Sequence, residues 1–505
     1  MASRRDELNA YTFAKRRLIA QFVQPNTTGS EEGAPRPLRA VVPGAIVAVV
    51  VLAVFGAWGM FKPVAPRDWD RPGENVIIAS KSTTRYVVLK TGSKTQLHPV
   101  LNMSSAKLLL NADKGKVINV DESVLDNGKI PHGATLGIPY APDRLPDEKD
   151  AGVAKRWAVC ERPGAGGRAI QKATFVLAER EEKKTEGANR LRGGELMYVE
   201  AEGTRYVVDA EGTAYPVEKD ELLLRQIVGR GQVAQRVSRA WLDTLHKGDT
   251  ISFPEIPNAG RDAGVPGKLP DDVNKVGMVL TATDGTRNQH YVVLPGRVAP
   301  VTDFTAKLLL NSLDLVDLDQ DGRAQAVSAA TFEPGEPFGQ DKDWPERAPV
   351  TVNSATTDEG SRSTVCNVLR AVDDDGSTTL STWAGTDFPA TLPTGSSSGY
   401  VTPGSGQLFR QFKGSRTDTG FLFLVTDTGL RYAMQSNGDS ATNESGIGSS
   451  GSKKEKQARM QEAQQAQNRL GYKGVDPVPV PAVWSTLLPT GPRLSTSAAT
   501  QPQGS

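Results

Sequence analysis

Two cysteines, Cys160 and Cys366, four histidines and two short acidic runs are the side chains of this 505-residue chain whose types invite chemistry. Asp317-Leu-Asp319-Gln-Asp321-Gly322 carries the alternate carboxylates and turn glycine with which a loop wraps a hard cation such as calcium. The twelfth position of that loop is Ser328, where an EF-hand needs a bidentate Glu, so Asp317, Asp319 and Asp321 read better as solvated acids on a hairpin turn. Asp373-Asp-Asp-Gly376 reads the same way. A nucleophilic cysteine needs a neighbouring histidine, and His98, His132, His246 and His290 all fall inside the repeated segments described below. Gly164-Ala-Gly-Gly167 and Gly264-Val-Pro-Gly-Lys268 lack the spacing of a phosphate-cradling loop, and no Gly-x-Ser-x-Gly elbow or zincin helix occurs. No catalytic residue, resident metal or cofactor is expected.

Composition excludes further classes. The 59 Lys and Arg against 58 Asp and Glu leave a net charge of +1, which argues against a nucleic-acid binder. The 50 Gly and 33 Pro suit a turn-rich β protein rather than a disordered chain.

The elements that carry these residues start with a membrane anchor. Ala40 to Phe61 is a run of 22 uncharged residues, a helix of about 33 Å that can cross a hydrocarbon core of roughly 30 Å. Arg4, Arg5, Lys15, Arg16, Arg17, Arg36 and Arg39 precede it, so the positive-inside rule keeps the N-terminal segment cytoplasmic and the long remainder on the far side. Arg5 to Val23 reads as a helix with Leu8, Tyr11, Leu18, Ile19 and Phe22 near one face, fit to lie on the membrane or dock on a partner helix.

Beyond the anchor the chain is doubled. Ala106-Lys-Leu-Leu-Leu-Asn111 recurs as Ala306-Lys-Leu-Leu-Leu-Asn311, an offset of 200. Gly133 pairs with Gly335, Val159-Cys160 with Val365-Cys366, Val208–Tyr215 with Val425–Tyr432, and Trp241 and Gly248 with Trp484 and Gly491. The offsets only grow, as an old duplication with insertions in its second copy requires. Each half holds two modules, opening at Arg85–Leu89, Arg205–Asp209, His290–Leu294 and Phe421–Val425 and closing at Gly133, Gly248, Gly335 and Gly491. The expected layout is a tail (1–39), a span (40–61), modules at 76–138, 196–253, 276–338 and 418–495, and a central β domain from 139–195 and 339–417. A linker at 254–275, a low-complexity insertion at 437–468 with a polar, exposed helix over Lys453 to Arg469, and a disordered tail at 496–505 complete it. The fold class is thus a single-pass anchor plus a β-rich α+β extracytoplasmic region, its four modules in a duplicated, pseudo-twofold arrangement around a central β domain. Cys160 and Cys366 hold equivalent places in a compartment where disulfides persist. Joined, they would close a loop worth at most roughly 5 kcal/mol; the alternative is two free buried thiols.

In its order of motifs the chain resembles EccB, the membrane-anchored core component of actinobacterial type VII (ESX) secretion systems. The resemblance runs from Asn9-Ala-Tyr-Thr-Phe13 and Arg16-Arg17-Leu18 through Trp157-Ala-Val-Cys160, Gly203–Val208 and Leu424–Tyr432 to Leu470–Val475, Pro477–Pro481 and Leu487–Gly491. It implies a central β domain flanked by four modules similar to wall-binding modules of phage lysins, and a disulfide between Cys160 and Cys366. It also implies a homo-oligomer in a large complex with an EccC-type motor ATPase, EccD- and EccE-type membrane subunits and a mycosin-like protease. Some members are described as ATPases, a role for which this sequence shows no nucleotide motif. The expected function is a membrane-anchored scaffold for export powered by a partner, with Leu8, Tyr11, Phe13, Arg16, Arg17, Leu18 and Phe22 as the docking segment. The alternatives are a stand-alone cell-wall or glycan binder and an ATP hydrolase.

Overall fold

The computed structural model describes residues 3–23, 38–60, 65–164, 169–284, 287–392, 398–434 and 453–503. Two helices come first, Arg4–Val23 and Leu38–Met60. Within the second, Val41–Trp58 is apolar and long enough to cross a membrane, and none of it is buried against the other described residues. Twenty-three residues with a single proline near the start and no internal charge after Arg39 favour this continuous helix.

The remainder is built on five sheets. Four of them share one plan: a three-strand antiparallel meander, a helix, then a fourth strand returning parallel to the first. The first sheet uses Asn75–Ala79, Arg85–Thr91, Lys94–Val100 and Lys116–Val120. The third uses Val279–Asp284, Arg287–Leu294, Arg297–Val301 and Gln325–Ala326. The fourth uses Gly406–Phe412, Phe421–Thr426, Arg431–Ala433 and Val478–Pro481. The second uses Glu195–Ala201, Thr204–Val208, Thr213–Pro216 and Gln235–Arg236, and gains His246–Lys247 and Val350–Thr351 at its flanks. Alternating β-branched residues make the strands, and glycine turns such as Gly92 (φ 63°) close the hairpins.

The intervening helices are Met103–Leu109, Glu221–Val228, Asp303–Leu309 and Lys453–Leu470. In the first three, a short polar side chain caps the start: Asn102 accepts from the Ser105 amide at 2.9 Å, Asp220 from Leu222 at 2.7 Å, and Thr302 from Thr305 at 3.1 Å. The four closing glycines act alike. Gly133, Gly248, Gly335 and Gly491 each donate their amide to a third-strand carbonyl, those of Leu97, Ala214, Val298 and Arg431, at 2.8–3.0 Å. A Cβ would fall 2.2 Å from His98 at Gly133, 2.2 Å from Tyr215 at Gly248 and 2.4 Å from Tyr432 at Gly491.

The fifth sheet is central and takes strands from both halves: Thr378–Gly385, Thr364–Val372, Arg156–Pro163, Ile170–Leu177 and Gly399–Val401, in that order. One face joins the cores of the second and fourth sheets, where Trp157, Trp241 and Trp484 are fully buried.

Four expectations need correction. Residues 254–275 are no linker, for Ile256, Val265, Leu269 and Val273 enter the third core. The fourth sheet begins at Gly406, inside what the sequence suggested was central domain, not at 418. The helix Lys453–Leu470 is not wholly solvated: Ala463, Ala466 and Leu470 bury against the first module. Residues 496–503 are not a disordered tail, since Thr496–Ala499 is helical with Ala499 fully buried, and the Gln503 amide donates to Thr135 at 2.9 Å. Of the low-complexity run, 437–452 lies outside the described residues.

Candidate functional site

The central sheet sets the two cysteines face to face. Arg156–Pro163 and Thr364–Val372 run antiparallel with Cys160 opposite Cys366, and a disulfide joins them across a separation of 206 residues. Both are fully buried with Phe175, Val368 and Trp383 on one side of the sheet. On the other side, Glu161 and Asn367 reach the short helix Arg239–Leu242 of the second module. Glu161 accepts from the Ser238 amide at 2.7 Å and from the Ser238 hydroxyl, and Lys172 lies 3.7 Å away. Asn367 Nδ2 donates to the Trp241 carbonyl at 2.9 Å and to Thr244 Oγ1 at 2.7 Å. Trp241 Nε1 donates in turn to the Val159 carbonyl at 3.1 Å.

Burial pushes the Glu161 carboxyl above the ordinary glutamate range, against the hydrogen bonds from Ser238 and the charge of Lys172. The folded state therefore holds this proton to higher pH than the unfolded chain. Its contribution to stability is full below the unfolded pKa and is lost as pH rises through the raised folded value. Relative to Glu161→Gln, which cannot titrate, the wild type should gain stability as pH falls from 7 to about 4. Denaturant midpoints of both proteins at the two pH values measure this. A difference that stays constant, or moves the other way, removes the buried-carboxylate account.

Around this centre the helices of the four like-built sheets meet in two pairs. Helix Met103–Leu109 packs on Lys453–Leu470, and Glu221–Val228 packs on Asp303–Leu309. In the first pair each helix end is capped by the other: Lys107 Nζ donates to the Leu470 carbonyl at 3.3 Å and an Arg469 guanidinium nitrogen to the Leu108 carbonyl at 2.8 Å. Lys473 and Asp113 add an exposed ion pair at 2.7 Å, worth at most about 1 kcal/mol. In the second pair Phe304 and Leu308 enter the second module's core, with Phe304 edge-on to Trp344.

The segment expected from the sequence to dock forms the helix Arg4–Val23. At about 100° per residue, Leu8, Tyr11, Leu18 and Phe22 share one face, while Phe13, Arg16 and Arg17 lie off it. Leu18 is 69% and Phe22 93% exposed, so both side chains are largely uncovered by the other described residues.

The acidic loop assembles no cation cage. Asp317 lies within the 3₁₀ turn Leu313–Leu318, which Asp319 caps, and Asp319 and Asp321 sit at positive φ. Among the described residues no three acidic, histidine or cysteine groups converge as a metal site would require. Sequence reasoning missed Glu161 and Asn367; their one signal was a charged and an amide residue next to each cysteine.

A family model described as "Type VII secretion system ESX-1, transport TM domain B" matches residues 1–504. The "ESX-3 secretion system ATPase EccB3" of Mycolicibacterium smegmatis is 26% identical over 455 residues, 85% of this chain and 82% of that protein. Its namesake in Mycobacterium tuberculosis H37Rv is 26% identical over 528 residues, 98% of this chain and 88% of that one. Among solved structures, a chain of the intact ESX-5 inner membrane complex matches with TM-score 0.56 at 20% identity, covering 100% of this chain and 96% of its own. The EccB3 dimer from the ESX-3 core complex gives 0.55 at 23% identity, covering 84% and 99%. At these identities the likeness is one of fold.

Proposed function

Because this chain belongs to the EccB family of type VII secretion systems, we propose that it works as a pinned, duplicated scaffold rather than as a catalyst. It is a structural, membrane-anchored core subunit of such a system. The family match across nearly the whole chain is the observation that carries this function.

The finer reading is that four copies of one module stand in pseudo-twofold order about the disulfide. The axis would pass between Cys160 and Cys366, which are sequence equivalents and also register partners. Exchanging the halves then turns the pair Val159–Asn367 into Val365–Glu161, and both are observed register pairs. The same exchange turns the contact of first and fourth module into that of third and second, and both contacts are present. The shared sheet plan and the four closing glycines support a common ancestor module.

In the proposed topology residues 1–39 are cytoplasmic and the β-rich region lies across the membrane, as the basic N-terminal segment favours. The chain oligomerises within a multi-subunit complex, as the similar chains do in the ESX-5 inner membrane complex and the EccB3 dimer. The energy for export comes from an EccC-type motor ATPase, with EccD- and EccE-type subunits and a mycosin-like protease as further partners. The exposed face of Leu8, Tyr11, Leu18 and Phe22 docks the cytoplasmic side of that complex. Leu18→Asp with Phe22→Asp should leave the β-rich region folded and the chain in the membrane but abolish co-purification with the other subunits. Undiminished co-purification would sink the docking assignment.

A further inference from the structure

The connection between helix and fourth strand takes opposite charge in the second and third modules. In the first and fourth modules, Asp113 and Lys473 lie on this connection and form their ion pair at 2.7 Å. In the third module the connection is acidic, with Asp314, Asp317, Asp319 and Asp321 all exposed around Leu313 (71% exposed) and Val316 (64%). In the second it is basic, with Arg230 on the connection flanked by Arg225 on the preceding helix and Arg236 on the following strand, all exposed like Val233 (69%) between them. The helices of these two modules already pack within the chain, yet among the described residues no ion pair joins these acids to these arginines. The run that resembled a calcium loop is thus an open acidic rim around two apolar side chains, matched by an open basic rim around a third.

We propose that the acidic connection 312–324 of one copy docks on the basic connection 229–236 of a second copy of this chain, a proposal that rests on the reading of the chain as an oligomerising subunit. Leu313 and Val316 would bury against Val233, and the charged rims would set orientation and speed of encounter more than strength. Every copy carries both surfaces, so a twofold pair would make the contact twice.

The native disulfide leaves no free thiol among the described residues, so an engineered pair reports without background. Full-length Val233→Cys/Leu313→Cys, solubilised in detergent and mildly oxidised, should run as a disulfide-linked dimer on a non-reducing gel. A link closed within one chain, or none, overturns the proposal. Asp314→Lys/Asp317→Lys should weaken self-association at least tenfold at low salt, and adding Arg230→Asp/Arg236→Asp to the same chain should restore it. Self-association unchanged by either reversal shows the surface to be wrong while the oligomer stands. A wild type that stays monomeric, alone and with its complex partners, removes the oligomer reading itself and the proposal with it.

Discussion

Alanine at both Cys160 and Cys366 lowers the stability of the β-rich region by about 2–5 kcal/mol. The bond spans 206 residues, so it removes a large part of the freedom of the unfolded chain, about 5 kcal/mol in the loop-closure picture. The fold itself should survive. Ladder hydrogen bonds pair Val159 with Asn367 and Glu161 with Val365 whether or not the sulfurs are joined, and the small, buried cysteine positions accept alanine. The check is the denaturant midpoint of a fragment starting at Asp70, wild type against variant, each with and without reductant. Reduced wild type should follow the variant. Overlapping curves for oxidised and reduced wild type would contradict the role given to the bond.

Trp241→Ala should cost about 3–5 kcal/mol, the range for emptying a fully buried indole site. The ring fills the space between the central sheet and the second module beside Trp157 and Trp484. Its loss would also leave the Val159 carbonyl without the donor it meets at 3.1 Å. Trp241→Phe keeps most of the volume and loses the N–H, so it should fall between wild type and alanine. Thermal or denaturant unfolding of the three proteins gives the order. An alanine variant within about 1 kcal/mol of wild type would mean that the module is not seated on the sheet as described.

The two predictions draw on features of unequal visibility in the sequence. The closing glycines were legible because His98, Tyr215 and Tyr432 leave no room for a side chain at Gly133, Gly248 and Gly491. The cysteines were legible because their register partners are also their sequence equivalents. The first strand of the fourth sheet was missed because Gln407 and Gln411 occupy buried positions and break the apolar pattern. Trp157 Nε1 at 2.9 Å and Ser485 Oγ at 2.9 Å satisfy their amide oxygens, which only the fold reveals. The segment 254–275 looked like a crossing because prolines and glycines separate its few apolar anchors. The buried face of Lys453–Leu470 was hidden because two of its three core residues are alanines, which give a weak hydrophobic period. The helix Arg4–Val23 and its apolar face were visible in outline, and helical geometry removes Phe13 from that face.

The seating of Leu494, Ala499 and Gln503 on the first module has a bearing on synthesis and export. Strands 75–120 emerge early, but the wall over helix Met103–Leu109 is finished only when residues 463–503 arrive. The third module can mature while the chain is still being delivered, since it has a core of its own, whereas the second shares its core with the central and fourth sheets. The first must wait with an apolar helix face open, exposed to proteases and to neighbouring nascent chains. Its contacts are the most distant in sequence, so its closure should be the slow step, and a holding chaperone would act there first.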